Sequence, residues 1–378
     1  MEFFTRAVKG LPEFKKWKSA VESKGNENYF TGLSSSAKAH FAYLFSDENK
    51  IVYIAANELE ATSRYSDFCF FCGDRVVYLP AREDVLYDVE ARGRDGNFQR
   101  MMSLKKLMEG DWQILVMPLQ AAMQYLPSPD MLKGQILSIE QGQNYDTVKL
   151  AERLTAMGYQ RVSSVEGRGQ FSLRGYILDV FPSSADVPYR VEFFDTEVDS
   201  IRSFDVVSQR TIEGTDTVEV LPDSETNIFS VETELKIRKR ILDAADDFTR
   251  GQTLKENASN VRALMRKIEA DLNLMSSGHK FPGYDRYLPF ILGTDFNVFS
   301  YTKEALVFFD RHGALKETEN FLLDEHRRVC ESVAERIPLL PQCFDMLMPF
   351  EQVACCAKKV SKSCHIVYGI ILTRHFGG

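Results

Sequence analysis

"KIVYIAANELEATSRYSDFCFFCGDRVVYLPA", residues 50–81, decides the fold class of this 378-residue chain. Its two ends, residues 50–56 and 75–81, are short apolar runs of the kind that forms buried strands. Between them, Asn57 is a candidate helix N-cap and Gly73 a candidate terminator, which predicts a helix. Strands separated by helices indicate an α/β fold, in which a parallel sheet carries helices on its faces.

The alternation of helix and strand continues beyond this stretch. Residues 96–110 carry apolar side chains at helical spacing, and residues 112–118 form another strand-like apolar run. Residues 304–310 (EALVFFD) supply one more strand inside a region that otherwise has the pattern of helices. We therefore expect one larger α/β domain made of residues 1–126 and 223–349.

Residues 127–222 have a different pattern, which follows the turn-forming sequence YLPSPD. One helix is expected from Asp146 to Met157, closed by Gly158. Strand-like runs then follow with little between them: YQRVSSV, GQFSLRGYILDVFP, VPYRVEFFD and EVDSIRSFDV. This pattern predicts a small α+β domain with an antiparallel sheet, inserted into the larger domain. Residues 350–378 are expected to open a following, truncated domain.

The overall composition is that of a soluble globular protein, with 44% hydrophobic and 26% charged residues. A net charge of −8 provides no global positive field for nucleic acid. The first twenty residues lack the apolar core of a signal peptide, and the run HIVYGIIL is too short to cross a bilayer. Seven cysteines, an odd number, fit reduced thiols. We expect a cytoplasmic protein with no membrane partner.

Two cysteine motifs are candidates for metal or redox sites. Cys69 and Cys72 form a C-x-x-C pair, but no second ligand pair accompanies them in sequence. We expect two small apolar residues near a helix end. Cys364 and His365 are no stronger as metal ligands, so neither a metal nor a cofactor is expected.

Residues 31–40 (TGLSSSAKAH) resemble a phosphate-binding loop in which two required residues are replaced. Gly32 and Lys38 keep the spacing of G-x-x-x-x-G-K-[ST]. However, Ala37 stands in place of the second glycine, and Ala39 in place of the hydroxyl residue that binds Mg²⁺. We expect Lys38 to be a surface charge without a catalytic role.

A second half of the same kind of site lies in ALVFFDRH, residues 305–312. Its apolar run and Asp310 fit a Walker B strand, but Arg311 occupies the position of the glutamate that activates water. A cation there cannot act as a general base, and it disfavours a metal ion. The two degenerate halves favour an inherited, inactive site over coincidence, so we expect no catalytic activity from this chain.

Strand alternation in VPYRVEFFD separates two faces of the inserted sheet. Phe193 fits the core side, and its neighbour Phe194 cannot share that side on a half-buried strand. Arginine beside an exposed aromatic residue is typical of interface hot spots. A solvated face with one apolar residue is the alternative. The side chains expected to point outward are Ser172, Arg174, Arg190, Glu192 and Phe194.

Several ordered motifs resemble the domain that bacterial transcription-repair coupling factors (Mfd) share with the excision-repair protein UvrB. Residues 167–182 (GRGQFSLRGYILDVFP) and 187–213 carry the strongest resemblance. The flanking sequences LPAREDVLYD (79–88), ILVMPLQAAMQYLP (114–127) and YLPFIL (287–292) are also similar. Together these motifs extend over most of the chain.

The resemblance implies a degenerate RecA/helicase-like parallel-sheet domain, related to P-loop NTPases and of the UvrB domain 1 type. In UvrB this domain binds ATP, whereas the coupling-factor copy has lost the nucleotide site. Ala37, Ala39 and Arg311 place this sequence with the coupling factors. Residues 88–96 are also too short and too poor in aromatic residues to form the hairpin with which UvrB grips damaged DNA.

The resemblance also implies that the inserted domain binds the damage-recognition protein UvrA. Arg174, Arg190 and Phe194 match the family's contact positions, and they are the residues that alternation alone places outward. Ser172 departs from UvrB, which has an arginine there. Arg161 and Arg168 are expected to supplement the contact at its rim.

The function implied is that of a non-catalytic adaptor that recruits UvrA to stalled RNA polymerase in transcription-coupled nucleotide excision repair. Family proteins continue into an RNA-polymerase-binding module and an ATP-driven DNA translocase. We therefore expect a fragment that meets RNA polymerase and DNA only through missing C-terminal domains, one of which can mask the UvrA-binding face. A residual ATP-binding or DNA-binding UvrB-like module is the alternative.

Overall fold

The computed structural model of the chain describes residues 2–22, 27–31, 33, 35–88, 95–228, 230–251, 258–276, 280–360 and 366–370. Within these residues the strands form three sheets. Gly32 and most of the short segment compared with the UvrB hairpin, residues 89–94, lie outside the described residues, as do Cys364 and His365. Of the described helices, none has the combination of length and apolarity that a membrane span requires.

The helices and strands have the following bounds. The helices are α1 (Glu2–Lys9), α2 (Pro12–Glu22), α3 (Ser35–Tyr43), α4 (Glu58–Cys72), α5 (Asp95–Glu109), α6 (Leu119–Ala122), α7 (Pro129–Gln135), α8 (Thr147–Ala156), α9 (Val231–Gly251), α10 (Ala258–Met275), α11 (Leu288–Leu292), α12 (His312–Ala334) and α13 (Phe350–Val360). The strands are β1 (Glu27–Thr31), β2 (Ile51–Ala55), β3 (Val76–Tyr78), β4 (Ile114–Pro118), β5 (Leu137–Glu140), β6 (Gln160–Arg161), β7 (Gln170–Arg174), β8 (Ile177–Phe181), β9 (Tyr189–Phe194), β10 (Glu197–Phe204), β11 (Thr211–Thr215), β12 (Thr217–Val220), β13 (Leu306–Phe309) and β14 (Ile366–Ile370).

The first sheet has six parallel strands in the order β1-β14-β13-β2-β4-β3. Both of its faces are covered, because alternate side chains of β2 enter two different cores. Val52 and Ile54 pack in the core on one face, whereas Ile51 and Tyr53 pack in the core on the other. Strands buried on both faces are continuous apolar runs, which is the pattern that identified them in the sequence.

Local signals set the ends of α4 as the sequence predicts. The Asn57 side chain accepts a hydrogen bond from the backbone N–H of Glu60 at 2.9 Å, which caps the start of the helix. Gly73 ends it with φ of +57°, in the left-handed region where glycine carries no steric penalty. The helix therefore connects β2 to β3 as the predicted strand–helix–strand unit.

The second sheet has the order β11-β10-β9-β8-β7-β6, and α8 packs against it. Its neighbouring strands are antiparallel except for β6, which pairs in parallel with β7. β6 is only two residues long, shorter than the run YQRVSSV predicts, because the chain bends at Ser163 and Ser164. A third, two-stranded antiparallel sheet pairs β12 with β5.

A buried polar cluster holds the point where the chain returns from the second sheet to the first. Glu225 is fully enclosed and accepts hydrogen bonds from Arg100 Nε at 2.9 Å and from Arg82 Nη1 at 3.3 Å. The Gln124 side chain exchanges two hydrogen bonds with the backbone of Arg82, at 2.8 and 2.7 Å. Arg82, Arg100 and Gln124 precede the strands β5 to β12 in the chain, whereas Glu225 follows them.

The described residues after 349 lie in the parallel-sheet unit. Phe350, Val353 and Ala357 of α13 are buried in its core, and β14 is hydrogen-bonded between β1 and β13. This differs from the expected start of a following domain at residue 350. The reason is that the apolar face of α13 and the strand after it complete a core and a sheet begun by much earlier residues.

Candidate partner-binding face and remnant of a nucleotide site

A row of directly opposed residues crosses the second sheet from β7 to β10. Ser172 is aligned with Asp179, Asp179 with Arg190, and Arg190 with Arg202. Aligned residues of neighbouring strands share one side of a sheet, and residues two apart on a strand share it as well. We call this side the arginine face, and its members besides Ser172 are Arg174, Asp179, Arg190, Glu192, Phe194 and Arg202.

Asp179 is the centre of the arginine face. Its carboxylate accepts hydrogen bonds from Arg190 Nε at 2.6 Å and from Arg190 Nη2 at 2.9 Å, one on each oxygen. The second of these oxygens also accepts a hydrogen bond from Arg174 Nη2 at 2.7 Å. A single carboxylate therefore joins the two arginines that the sequence predicts to point outward.

Arg190 is further restrained by its neighbours on β10 and the turn after it. Its guanidinium lies 4.6 Å from the centroid of the buried Phe204 ring, within the range of a cation–π interaction. Nη2 also donates to Gln209 Oε1 at 3.0 Å. The hydrogen bonds to Asp179 raise the pKa of Arg190 above its already high value, so its charge is permanent.

Phe193 and Phe194 divide between the two sides of β9 as alternation predicts. Phe193 is buried in the core with α8, whereas Phe194 is 80% exposed. Beside Phe194 on the same side, Glu192 forms an ion pair with Arg202 and accepts a hydrogen bond from Ser200 Oγ at 3.2 Å. A large ring in water next to paired charges is the kind of surface that partners cover.

Ser172 does not lie in solvent, and the prediction that it does is wrong. Only 1% of the residue is exposed, and its hydroxyl donates to the carbonyl oxygen of Ser163 at 3.1 Å. The alternation of side chains along β7 places Ser172 on the arginine face, but the segment that follows β6 lies over it. It is therefore part of the support beneath this face.

The two predicted rim arginines differ in their positions. Arg168 is exposed, forms an ion pair with Asp186 at 2.5 Å, and donates to the carbonyl oxygen of Ala185 at 2.9 Å. Arg161 is also exposed, but its register partner on β7 is the core residue Phe171. Arg161 therefore aligns with the core side of the sheet and not with Arg174.

The two charged residues of the predicted nucleotide motifs, Lys38 and Asp310, pair with each other. Lys38, on α3, places Nζ 2.5 Å from Asp310 Oδ1 at the end of β13, and both side chains are buried. The expectation that Lys38 is a surface charge is therefore wrong. Asp310 Oδ1 also accepts the backbone N–H of Arg311 at 2.8 Å. Ala39, in place of the Mg²⁺-binding hydroxyl, is fully enclosed in an apolar core.

Two neighbours complete this closed arrangement. Burial and then the Asp310 carboxylate raise the pKa of Tyr53 well above its usual value, so its hydroxyl stays protonated. The Arg311 guanidinium pairs with Glu60 in the first turn of α4. The lysine and the aspartate that would face phosphate and Mg²⁺ in a nucleotide site are thus engaged within the chain.

Comparison with known proteins supports the motif-based resemblance. Residues 137–225, which contain all strands from β5 to β12, match the family described as UvrB interaction domain. The sequence is 28% identical over 338 residues, 88% of this chain, to a transcription-repair-coupling factor of Bacillus subtilis. The chain is homologous to the N-terminal region of transcription-repair-coupling factors. It covers 28% of the length of the Bacillus protein.

Further relatives with the same description come from other bacteria. The coupling factor of Staphylococcus epidermidis is 29% identical over 324 residues, which are 83% of this chain and 27% of that protein. The coupling factor of Haemophilus influenzae is 29% identical over 253 residues, which are 67% of this chain and 21% of that protein. The chain thus spans between a fifth and under a third of these relatives.

The sequence interpretation missed three members of the arginine face and its support: Asp179, Arg202 and Phe204. Asp179 carried a usable signal, because it is a lone charge inside the apolar strand ILDVF and alternates with Leu178 and Val180. Alternation along β8 places Asp179 on the side of the sheet opposite Leu178 and Val180, whereas its position beside Arg190 depends on the register between β8 and β9. The role of Phe204 depends on the register between β9 and β10, which alternation within one strand does not specify.

The cysteine pair and one cleft share no residue with the arginine face. Cys69 and Cys72 are one turn apart on α4, and burial raises the pKa of Cys72 to about 11, so it stays a thiol. In the described ranges no cluster of three or more His, Cys, Asp or Glu side chains could hold a metal ion. A cleft of about 540 Å³ is lined by Arg82, Glu83 and Asn97, among others, and shares no residue with the arginine face.

Proposed function

We propose that this chain is the UvrA-binding adaptor region of a transcription-repair coupling factor, and that UvrA docks on the arginine face. The observation that most directly supports this proposal is the ring of Phe194, which is 80% exposed on a sheet whose residues match the UvrB interaction domain. In the full-length protein the region recruits UvrA to RNA polymerase stalled at damage. Contacts with RNA polymerase and DNA, and ATP-driven translocation, belong to the remaining length of the family proteins.

The chemistry of the arginine face fits a partner with an apolar recess beside carboxylates. Burying an exposed aromatic ring such as Phe194 contributes about 1.5–3 kcal/mol. Arg174 is half exposed while held at one end by Asp179, so its free N–H groups can donate to a partner carboxylate. Charge-assisted hydrogen bonds of this kind contribute about 1.5–3 kcal/mol each. Phe194 and the two arginines thus offer a partner one apolar and two cationic contacts.

The parallel-sheet domain is proposed to be a degenerate RecA-like domain, of the type that forms UvrB domain 1, without catalytic activity. The Lys38–Asp310 pair supports this proposal, because nucleotide binding would have to break a buried ion pair and expose both charges. The proposed division of the chain is a UvrA-binding domain of residues 127–222 between the two arms of this domain.

Alanine substitutions on the arginine face test the adaptor function. We expect Arg174→Ala and Phe194→Ala each to weaken binding to purified UvrA by about tenfold or more, because hot-spot truncations typically cost about 2 kcal/mol. Isothermal titration calorimetry measures the change. Arg266→Ala and Phe321→Ala, at exposed positions of α10 and α12 outside the second sheet, are the matched controls. Wild-type affinity in both test variants would exclude the arginine face as the docking surface.

A further inference from the structure

Asp179 lies at the centre of the arginine face but is too enclosed to touch a partner. Only 2% of the residue is exposed, and its neighbours across the sheet are Ser172 on one side and Arg190 on the other. Nevertheless it bonds both arginines proposed to contact UvrA. Its place in the contact is therefore indirect.

We propose that Asp179 is a positioning residue for partner recognition. It fixes Arg174 and Arg190 relative to each other, so that their remaining N–H groups form a ready-made site for a carboxylate of the partner. This inference rests on the proposed UvrA-binding function. It identifies the partner's chemistry as an acidic side chain next to an apolar recess.

Contacts within the chain already fix most of the Arg190 guanidinium before a partner binds. Asp179 holds its Nε and Nη2, the Phe204 ring lies against its guanidinium at 4.6 Å, and Gln209 accepts a further hydrogen bond. A free arginine loses rotamer freedom when a partner orders it, and this cost lowers affinity. A guanidinium that is already ordered avoids that loss.

The charge balance of the cluster also suits an acidic partner. Arg174 and Arg190 carry two positive charges, and Asp179 supplies one negative charge between them. The carboxylate offsets the repulsion that would drive the two guanidiniums apart, and it leaves one net positive charge at the surface. A partner carboxylate is the group that would neutralise this remainder.

Replacing Asp179 with a neutral residue distinguishes positioning from simple charge attraction, because the two predict opposite changes in the affinity for UvrA. Asp179→Asn makes the face more positive, so charge alone would strengthen binding to an acidic partner. Loss of positioning weakens binding instead. We expect the dissociation constant for UvrA to rise by about tenfold, which corresponds to about 1.4 kcal/mol. Asp199→Asn, the same charge change at an exposed site on β10, is the control and should leave affinity within about twofold.

A double-mutant cycle shows whether Asp179 acts through the arginines. In a background carrying Arg174→Ala and Arg190→Ala, we expect Asp179→Asn to change the residual affinity for UvrA by less than about twofold. Thermal melting of each variant verifies folding. If Asp179→Asn does not melt cooperatively, Asp179→Glu replaces it, because that variant keeps the charge and displaces it by one methylene. The same weakening is expected from it.

The outcomes distinguish the two proposals. If the wild-type chain does not bind UvrA, the adaptor function fails and the positioning role fails with it. If the wild type binds and Arg174→Ala weakens binding, unchanged or tighter binding by the Asp179 variant overturns the positioning role alone. The positioning role is also overturned if Asp179→Asn weakens UvrA binding equally in the background that lacks both arginines. The effect of the substitution would then be structural.

Discussion

At the scale of the residue, the most informative pair is Lys38 and Asp310. Together they form a buried ion pair. Removing two charges from water is expensive, and the attraction between them compensates only while both are present. The pair is thus a structural contact between α3 and the end of β13.

Lys38→Met tests that structural role. The substitution removes the cation and leaves the Asp310 carboxylate buried without its main partner, so we expect a loss of about 3–5 kcal/mol in the free energy of unfolding. Urea denaturation followed by circular dichroism measures it. The double variant Lys38→Met with Asp310→Asn should regain part of the loss, because no uncompensated charge then remains. A single variant as stable as the wild type would contradict the structural role.

At the scale of the element, the end of α8 illustrates how one residue connects a helix to the rest of its domain. Gly158 follows the helix with φ of +89°, a left-handed conformation that non-glycine residues rarely adopt. A Cβ at this position would lie 2.2 Å from the carboxylate of Asp223, near the chain's return to the first sheet. That carboxylate is held by Asn227 Nδ2 at 2.7 Å.

We expect Gly158→Ala to reduce the free energy of unfolding by about 2–4 kcal/mol, because strain in the backbone adds to displacement of Asp223. The matched control is Gly134→Ala in α7, where the added methyl group points into open space among the described residues. There the higher helix propensity of alanine should stabilise the protein by about 0.5–1 kcal/mol. Equal effects in the two variants, measured by chemical denaturation, would show that neither the backbone conformation nor Asp223 matters.

Elements with local signals were predictable, and those that depend on tertiary contacts were not. Asn57 and Gly73 mark the ends of α4 through hydrogen bonding and backbone conformation that they determine themselves. The outward direction of Phe194 follows from the two-residue period of a strand. Ser172 follows the same alternation, but the chain near Ser163 covers it. The sequence of β7 itself contains no sign of this contact.

At the scale of the whole molecule, Glu225 links three distant parts of the sequence. It bonds Arg100, which is 125 residues away, and Arg82, which is 143 residues away. Ion pairs between residues so far apart in sequence produce no periodic pattern. The periodicity that predicts strands and helices therefore does not predict this cluster. The pair of arginines anchors the chain at the point where the UvrB-interaction-domain match ends.

The pH dependence of stability provides a test of this anchor. Burial alone would raise the pKa of Glu225, but the charges of Arg100 and Arg82 outweigh it and lower the pKa to about 2 from its ordinary 4.5. A folded pKa below the unfolded value stabilises the protein fully above about pH 4.5, and this stabilisation is lost as the pH falls toward about 2. A difference of this size corresponds to about 3 kcal/mol.

Glu225→Gln should therefore destabilise the protein strongly at neutral pH and much less in acid. At pH 6 the variant leaves the buried Arg100 guanidinium without its carboxylate, while Arg82 keeps its ion pair with Asp84, and we expect a loss of about 3–5 kcal/mol. Near pH 2.5 the wild-type carboxyl is itself partly protonated, so the difference between the two proteins should shrink by about 2 kcal/mol or more. Comparing the two proteins at each pH in urea cancels the titration of other carboxylates. A difference that is the same at both pH values would mean that the charge of Glu225 does not stabilise this cluster.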